Sequence, residues 1–138
     1  MGSNEGARYD GAMLWKRICL GLVVVLSLSG SACDDSGPGG VVSCDFKSNG
    51  MHLLCEELPA SYRSQLQQVC QQLASQSGGA ASTTFADGPC SHANALGGCQ
   101  MNEGAITMTV WFYQSEGGGS SSDIQTLCKQ AGAPYVSP

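Results

Sequence analysis

The sharpest alternation of apolar and polar positions in this chain runs from Ile106 to Tyr113, ITMTVWFY. Ile106, Met108, Val110 and Phe112 fall on one side; Thr107, Thr109, Trp111 and Tyr113 fall on the other. A period of two is the pattern of a half-buried β-strand. The segment 100–114 therefore reads as a hairpin turning near Asn102-Glu103-Gly104. Residues 44–55, CDFKSNGMHLLC, form a second one, because Asn49-Gly50 accepts the positive φ angles of a type I′ turn. Counting outward from that turn sets Ser48 against Met51, Lys47 against His52 and Cys44 against Cys55. Ser82 to Ala86 is a short strand, and Ala133 to Ser137 a closing one.

Two segments carry the helical period instead. In Ser61–Ala74, the residues Tyr62, Leu66, Val69, Cys70 and Leu73 share one face. Pro59 precedes that helix and Ser77-Gly78-Gly79 ends it. In Ser122–Ala131, Ile124, Leu127, Cys128 and Ala131 make the stripe, and Ser122 with Gln125 suggests a capping box. SQLQQVCQQ at 64–72 and SDIQTLCKQ at 122–130 repeat one pattern, with Cys70 over Cys128. Leu53-Leu54-Cys55 then falls over Trp111-Phe112-Tyr113. Each half reads strand, loop, helix with a cysteine on its buried face, Gly-rich turn, strand. The expected fold is α+β: a small antiparallel sheet with two helices on one face, stabilised by disulfides.

The N-terminal pattern is of another kind. Lys16-Arg17, an apolar run from Ile18 to Leu28, and the small residues Ser29 to Ala32 follow the order of a secretory signal peptide. The run is about half the ~20 residues of a membrane-spanning helix. Residues 1–12 carry Glu5 and Asp10 ahead of the basic region, which suggests translation from Met13. A cysteine, Cys33, stands directly after the small residues. This arrangement resembles the bacterial lipoprotein signal, with Gly30 where that family usually carries Leu. The resemblance implies that the leader is removed before Cys33 and that Cys33 is acylated, which anchors the chain to a membrane of the bacterial envelope on its periplasmic or surface side. The organisation that follows is an extension and signal peptide over 1–32, a flexible tether over 33–40 (CDDSGPGG), and a cysteine-rich α+β domain over 41–138.

Cysteine parity agrees with this. Of eight cysteines, Cys19 leaves with the leader and seven remain. With Cys33 acylated, Cys44, Cys55, Cys70, Cys90, Cys99 and Cys128 can pair completely. Six allow 15 connectivities. The hairpin arithmetic suggests 44–55, and helix cysteines reaching down to a strand suggest 70–90 and 99–128. The 41–138 region also resembles small cysteine-rich bacterial envelope lipoproteins. It shares their sparse charge, their helix cysteines followed by Gly-rich turns, and a Gly-Gly-Cys, here Gly97-Gly98-Cys99. That resemblance implies location and fold, and no activity.

Charge narrows the partners. From Cys33 onward there are three basic and nine acidic residues, a net −6. A chain so poor in Lys and Arg has no footprint for a phosphate backbone, which disfavours nucleic acid. No two cysteines form a short knuckle, and His52 and His92 are the only histidines, so no metal site or cofactor is expected. Cys70 and Cys128 sit in mid-helix on apolar faces and read as structural rather than redox-active. A Ser–His92–Asp87 triad can be written down, but no local signature supports it, and the adjacent Glu56 and Glu57 point to opposite faces of a strand. No catalytic residue is assigned. Thr107, Thr109, Trp111 and Tyr113 are the candidate ligand face, suited to a peptide, glycan or envelope protein; the competing reading covers that face with neighbouring chain. The expected function is non-catalytic binding or structural support at the envelope. The alternative is a small exported enzyme, or a protease-inhibitor-like domain presenting the Cys90–Cys99 loop.

Overall fold

The computed structural model describes residues 40–76, 79, 81–114 and 119–138. All belong to the unit that spans Cys33–Pro138. The expected leader, Cys33, nearly all of the expected tether, Ser77-Gly78 and half of the 116–121 loop lie outside the described residues.

The elements run β1 (Val41–Ser48), β2 (Met51–Pro59), a 3-10 turn (Ala60–Tyr62), α1 (Arg63–Gln76), β3 (Ala81–Asp87), β4 (Ala95–Glu103), β5 (Ile106–Tyr113), α2 (Ser121–Gln130) and β6 (Tyr135–Val136). The strands form one six-stranded antiparallel sheet in the order β3-β1-β2-β5-β4-β6. The domain is thus richer in strand than the small sheet expected from the pattern. The order reads alike from either edge. Each half is a hairpin and a helix, followed by a strand that returns to pair with the first strand of its own hairpin.

The Asn49-Gly50 turn forms as the dipeptide suggests, with φ of 51° and 79°. The first two pairs also follow the count from the turn: Ser48 faces Met51 and Lys47 faces His52. The ladder then shifts, so that Phe46 faces Leu54 and Cys44 faces Glu56. Leu53 is the extra residue of a β-bulge. Because side chains alternate with a period of two, one extra residue moves the rest of β2 to the other side of the sheet.

This shift corrects the disulfide expectation. Cys44 and Cys55 point to opposite faces and cannot bridge. Cys44 bonds Cys70 on α1, Cys55 bonds Cys90 in the loop before β4, and Cys99 bonds Cys128 on α2. Of the expected pairs only 99–128 forms; 44–55 and 70–90 do not. Three disulfides imply an oxidising, exported environment.

One row crosses every strand: Phe85, Cys44, Glu56, Val110, Cys99, Tyr135. Two of its members are disulfide-bonded to the two helices. Val42, Leu58, Leu66, Cys44 and Cys70 form one buried cluster; Cys99, Ile124, Cys128 and Ala133 form another. Leu66 and Cys70 of the expected α1 stripe are buried, as are Ile124 and Cys128 of α2. The α2 capping box lies earlier than expected. Ser120 is the N-cap, its hydroxyl accepting from the Asp123 amide and the Asp123 carboxylate accepting from the Ser120 amide. Those Ser120 hydrogen bonds hold the Asp123 carboxyl below its usual value.

β4 begins at Ala95, inside what reads as loop. Gly97 has a φ of 147°, and a Cβ there would run into the Tyr135 ring. A Cβ on Gly98 would press on Trp111 at 3.1 Å. The glycines weaken the strand pattern locally because neighbouring rings occupy the space of their side chains.

Candidate functional site

The face opposite the helix-bonded cysteines carries Asp45, Cys55, Trp111 and Gly98 in one row. Trp111 and Tyr113 stand two residues apart on β5 and share that side. Thr107, Thr109, Trp111 and Tyr113 do not form an exposed aromatic–hydroxyl surface. Thr109, Trp111 and Tyr113 are buried. Thr107 alone is exposed, and its hydroxyl donates to Asn102. The loop between β3 and β4 covers the aromatic residues, which is the competing reading of this face.

Four contacts hold that loop down. Cys90 is bonded to Cys55, and its backbone N–H donates to Glu57 Oε1 at 2.6 Å. The Tyr113 hydroxyl donates to the Ser91 carbonyl at 2.5 Å. His92, itself exposed, lays its ring on Trp111 with centroids 4.0 Å apart and planes tilted by 37°. The Trp111 indole N–H is buried without a hydrogen-bond partner among the described residues. Beyond His92 the chain turns through Asn94, whose φ of 64° lies in the left-handed region. Asn tolerates that region better than most residues.

Between this loop and the Asn49-Gly50 hairpin lies an open pocket of about 380 Å³. Met51 and His52 wall it on the hairpin side, Ser91, Ala93 and Asn94 on the loop side. Tyr113 and Gln114 close it at the end of β5. His52 faces Lys47 across the hairpin, as the count from the turn implies. Its surroundings were not legible there. Its Nδ1 lies 3.3 Å from Asp45 Oδ1, and its ring stands edge-on to Tyr113 at 5.3 Å and 68°. The Asp45–His52 contact is close in distance but not aligned as a hydrogen bond. Lys47 Nζ approaches the other Asp45 oxygen at 3.5 Å. Burial pushes the Tyr113 hydroxyl up to about 12, with further contributions from the charges of Asp45 and Glu57.

Among the described residues, no three His, Cys, Asp or Glu side chains are grouped to hold a metal ion. Nor does His52 hydrogen-bond to a hydroxyl there; the Ser91 hydroxyl accepts from the Ala93 amide at 3.3 Å. His92 and Asp87 of the written triad engage elsewhere, His92 on Trp111 and Asp87 with Arg63. Cys33 lies outside the described residues, and no helix among them is long and apolar enough to cross a membrane.

On the face that carries Cys44, Glu56 is 4 % exposed, and its Oε1 has no hydrogen-bond partner among the described residues. Burial pushes its carboxyl up from 4.5 to about 7. The adjacency of Glu56 and Glu57 does place them on opposite faces, one beneath the helix-bonded layer and one holding the loop.

Comparison with models of known families, with curated proteins and with solved structures gives no match.

Proposed function

We propose that the chain is a lipid-anchored domain of a bacterial cell envelope with a non-catalytic binding role. The observation that supports this best is the cysteine accounting. Cys44, Cys55, Cys70, Cys90, Cys99 and Cys128 pair wholly among themselves. Cys33, directly after a leader-like sequence, is left without a partner among them. A thiol in that place is the acceptor that a lipoprotein signal requires, and several acyl chains give stable anchoring where one is marginal.

In this reading the two helices together cover the sheet face that carries Cys44 and Cys99. The opposite face, with the 88–94 loop and the pocket beside it, is turned to partners. The acidic, Gly-rich composition of 33–40 is that of a spacer that lets a small domain stand off a membrane.

Expression in a bacterial host fed an alkyne-tagged fatty acid tests the anchor. The account expects label on the wild-type chain and none on Cys33→Ala. Label that persists on Cys33→Ala, or a wild-type chain that never takes label, overturns it.

A further inference from the structure

We propose that the pocket between His52, Asn94 and Gln114 binds a neutral, hydroxyl-rich ligand, a saccharide of one or two rings. The proposal rests on the binding role given above and supplies its ligand class.

The wall chemistry carries the argument. Asn94 and Gln114 each bring a carbonyl that accepts and an amide that donates. The Ser91 hydroxyl already accepts from Ala93 and keeps its proton to donate. His52 Nδ1 faces Asp45, which leaves Nε2 as its other hydrogen-bonding atom. Met51, Ala93 and the Tyr113 ring supply apolar surface. Mixed donors and acceptors beside an aromatic and aliphatic wall match a sugar, whose hydroxyls do both and whose C–H faces are apolar. At about 380 Å³ the pocket lies at the small end of ligand sites, which limits the ligand to one or two rings.

Charge weighs against the other small polar classes. An anion would find no lysine or arginine among the described residues that line the pocket. A cation would meet an Asp45 that Lys47 and His52 already approach, and a Glu57 whose Oε1 holds the Cys90 amide.

Site rigidity supports the same conclusion. The Cys55–Cys90 bridge and the bonds from Tyr113 and to Glu57 fix the loop wall, and the turn fixes the hairpin wall. A preformed site loses little entropy on binding a weak, neutral ligand.

The test is a titration of the processed full chain with cellobiose, chitobiose and maltose, with a galacturonate dimer as anionic probe and glucosamine as cationic probe. The readouts are the imidazole resonances of His52 and His92 and the fluorescence of Trp111, the one tryptophan beyond the leader. Saturable shifts with at least one neutral probe are expected. Affinity should fall about tenfold in His52→Gln and in Asn94→Gly, the loss typical of one well-placed hydrogen bond. Asn94→Gly keeps the left-handed turn while deleting the amide, and an unchanged melting temperature shows that the fold is intact. Binding of only a charged probe, still lost in these variants, overturns the ligand class and leaves the binding role. Binding unaffected by either variant overturns the site. No shift with any probe overturns the ligand class and the site, while acylation of Cys33 is decided separately by the fatty-acid label.

Discussion

Cys44 stands opposite Glu56 in the β1–β2 ladder, and Cys55 stands opposite Asp45. The one-residue bulge at Leu53 creates that offset, and much of the domain's organisation follows from it. It sends Cys44 to α1, Cys55 to the loop before β4, and Glu56 into the interior.

Trypsin alone tests whether Cys44 pairs with Cys55. Beyond Cys33 the chain has only Lys47, Arg63 and Lys129 as cleavage sites. Unreduced digestion should leave the peptides containing Cys44 and Cys55 both attached to the 64–129 peptide. Pairing of Cys44 with Cys55 would instead release a linked pair free of 64–129.

Removing the Cys55–Cys90 bridge should loosen the pocket before the core. The bridge closes a separation of 35 residues, for which chain entropy implies a loss of about 4 kcal/mol. A Cys55→Ala, Cys90→Ala double variant should unfold at lower denaturant. In its folded state the Trp111 emission should shift to the red as His92 leaves the ring. Emission unchanged from wild type would show that the stack does not depend on the bridge.

Glu56 should make the domain less stable as pH rises. Its folded pKa, about 7, lies above the ordinary 4.5, so the folded state favours the neutral acid. Its contribution is fully present below about pH 4.5 and is lost as pH rises through about 7, at most about 3 kcal/mol in all. Asp123 has the opposite sign, since its lowered pKa favours the folded state above 3.8 and acts below the Glu56 window. Denaturant melts between pH 4.5 and 8 should show the decline, and Glu56→Gln should flatten it. An equal slope in both proteins would locate the effect elsewhere.

Gly97 should tolerate no side chain. Its φ of 147° and the Tyr135 ring above it oppose any Cβ. Gly97→Ala should cost at least about 2 kcal/mol, combining backbone strain with displacement of a packed ring. Gly104, with a positive φ but open space around it, should cost less on the same substitution, from strain alone. Thermal melts of the two variants check the ranking.

Where the local pattern was strong, the chain could be read. β5 carries a clean period of two, Asn49-Gly50 dictates its turn, and Cys70 and Cys128 fall on the stripes that α1 and α2 bury. The Cys70–Cys128 repeat even contained the correction. If Cys128 reaches a hairpin strand at Cys99, the same geometry takes Cys70 to Cys44. The count from the turn hid this, because nothing in His52-Leu53-Leu54 marks a bulge; any of these residues could be the extra one. The start of β4 was hidden for another reason: Gly97 and Gly98 are shaped by Tyr135 and Trp111, which lie far along the chain. The pocket was invisible for the same cause. His52, Asn94 and Gln114 come from three separate segments that only the sheet order and the Cys55–Cys90 bridge bring together.

The most direct test of the account is the intact mass of the protein taken from its native envelope, before and after reduction and alkylation. The account predicts a chain beginning at Cys33, heavier by two or three acyl groups, with six thiols appearing only on reduction. An unacylated chain with a free thiol at Cys33, or a chain whose thiols alkylate without reduction, would contradict it.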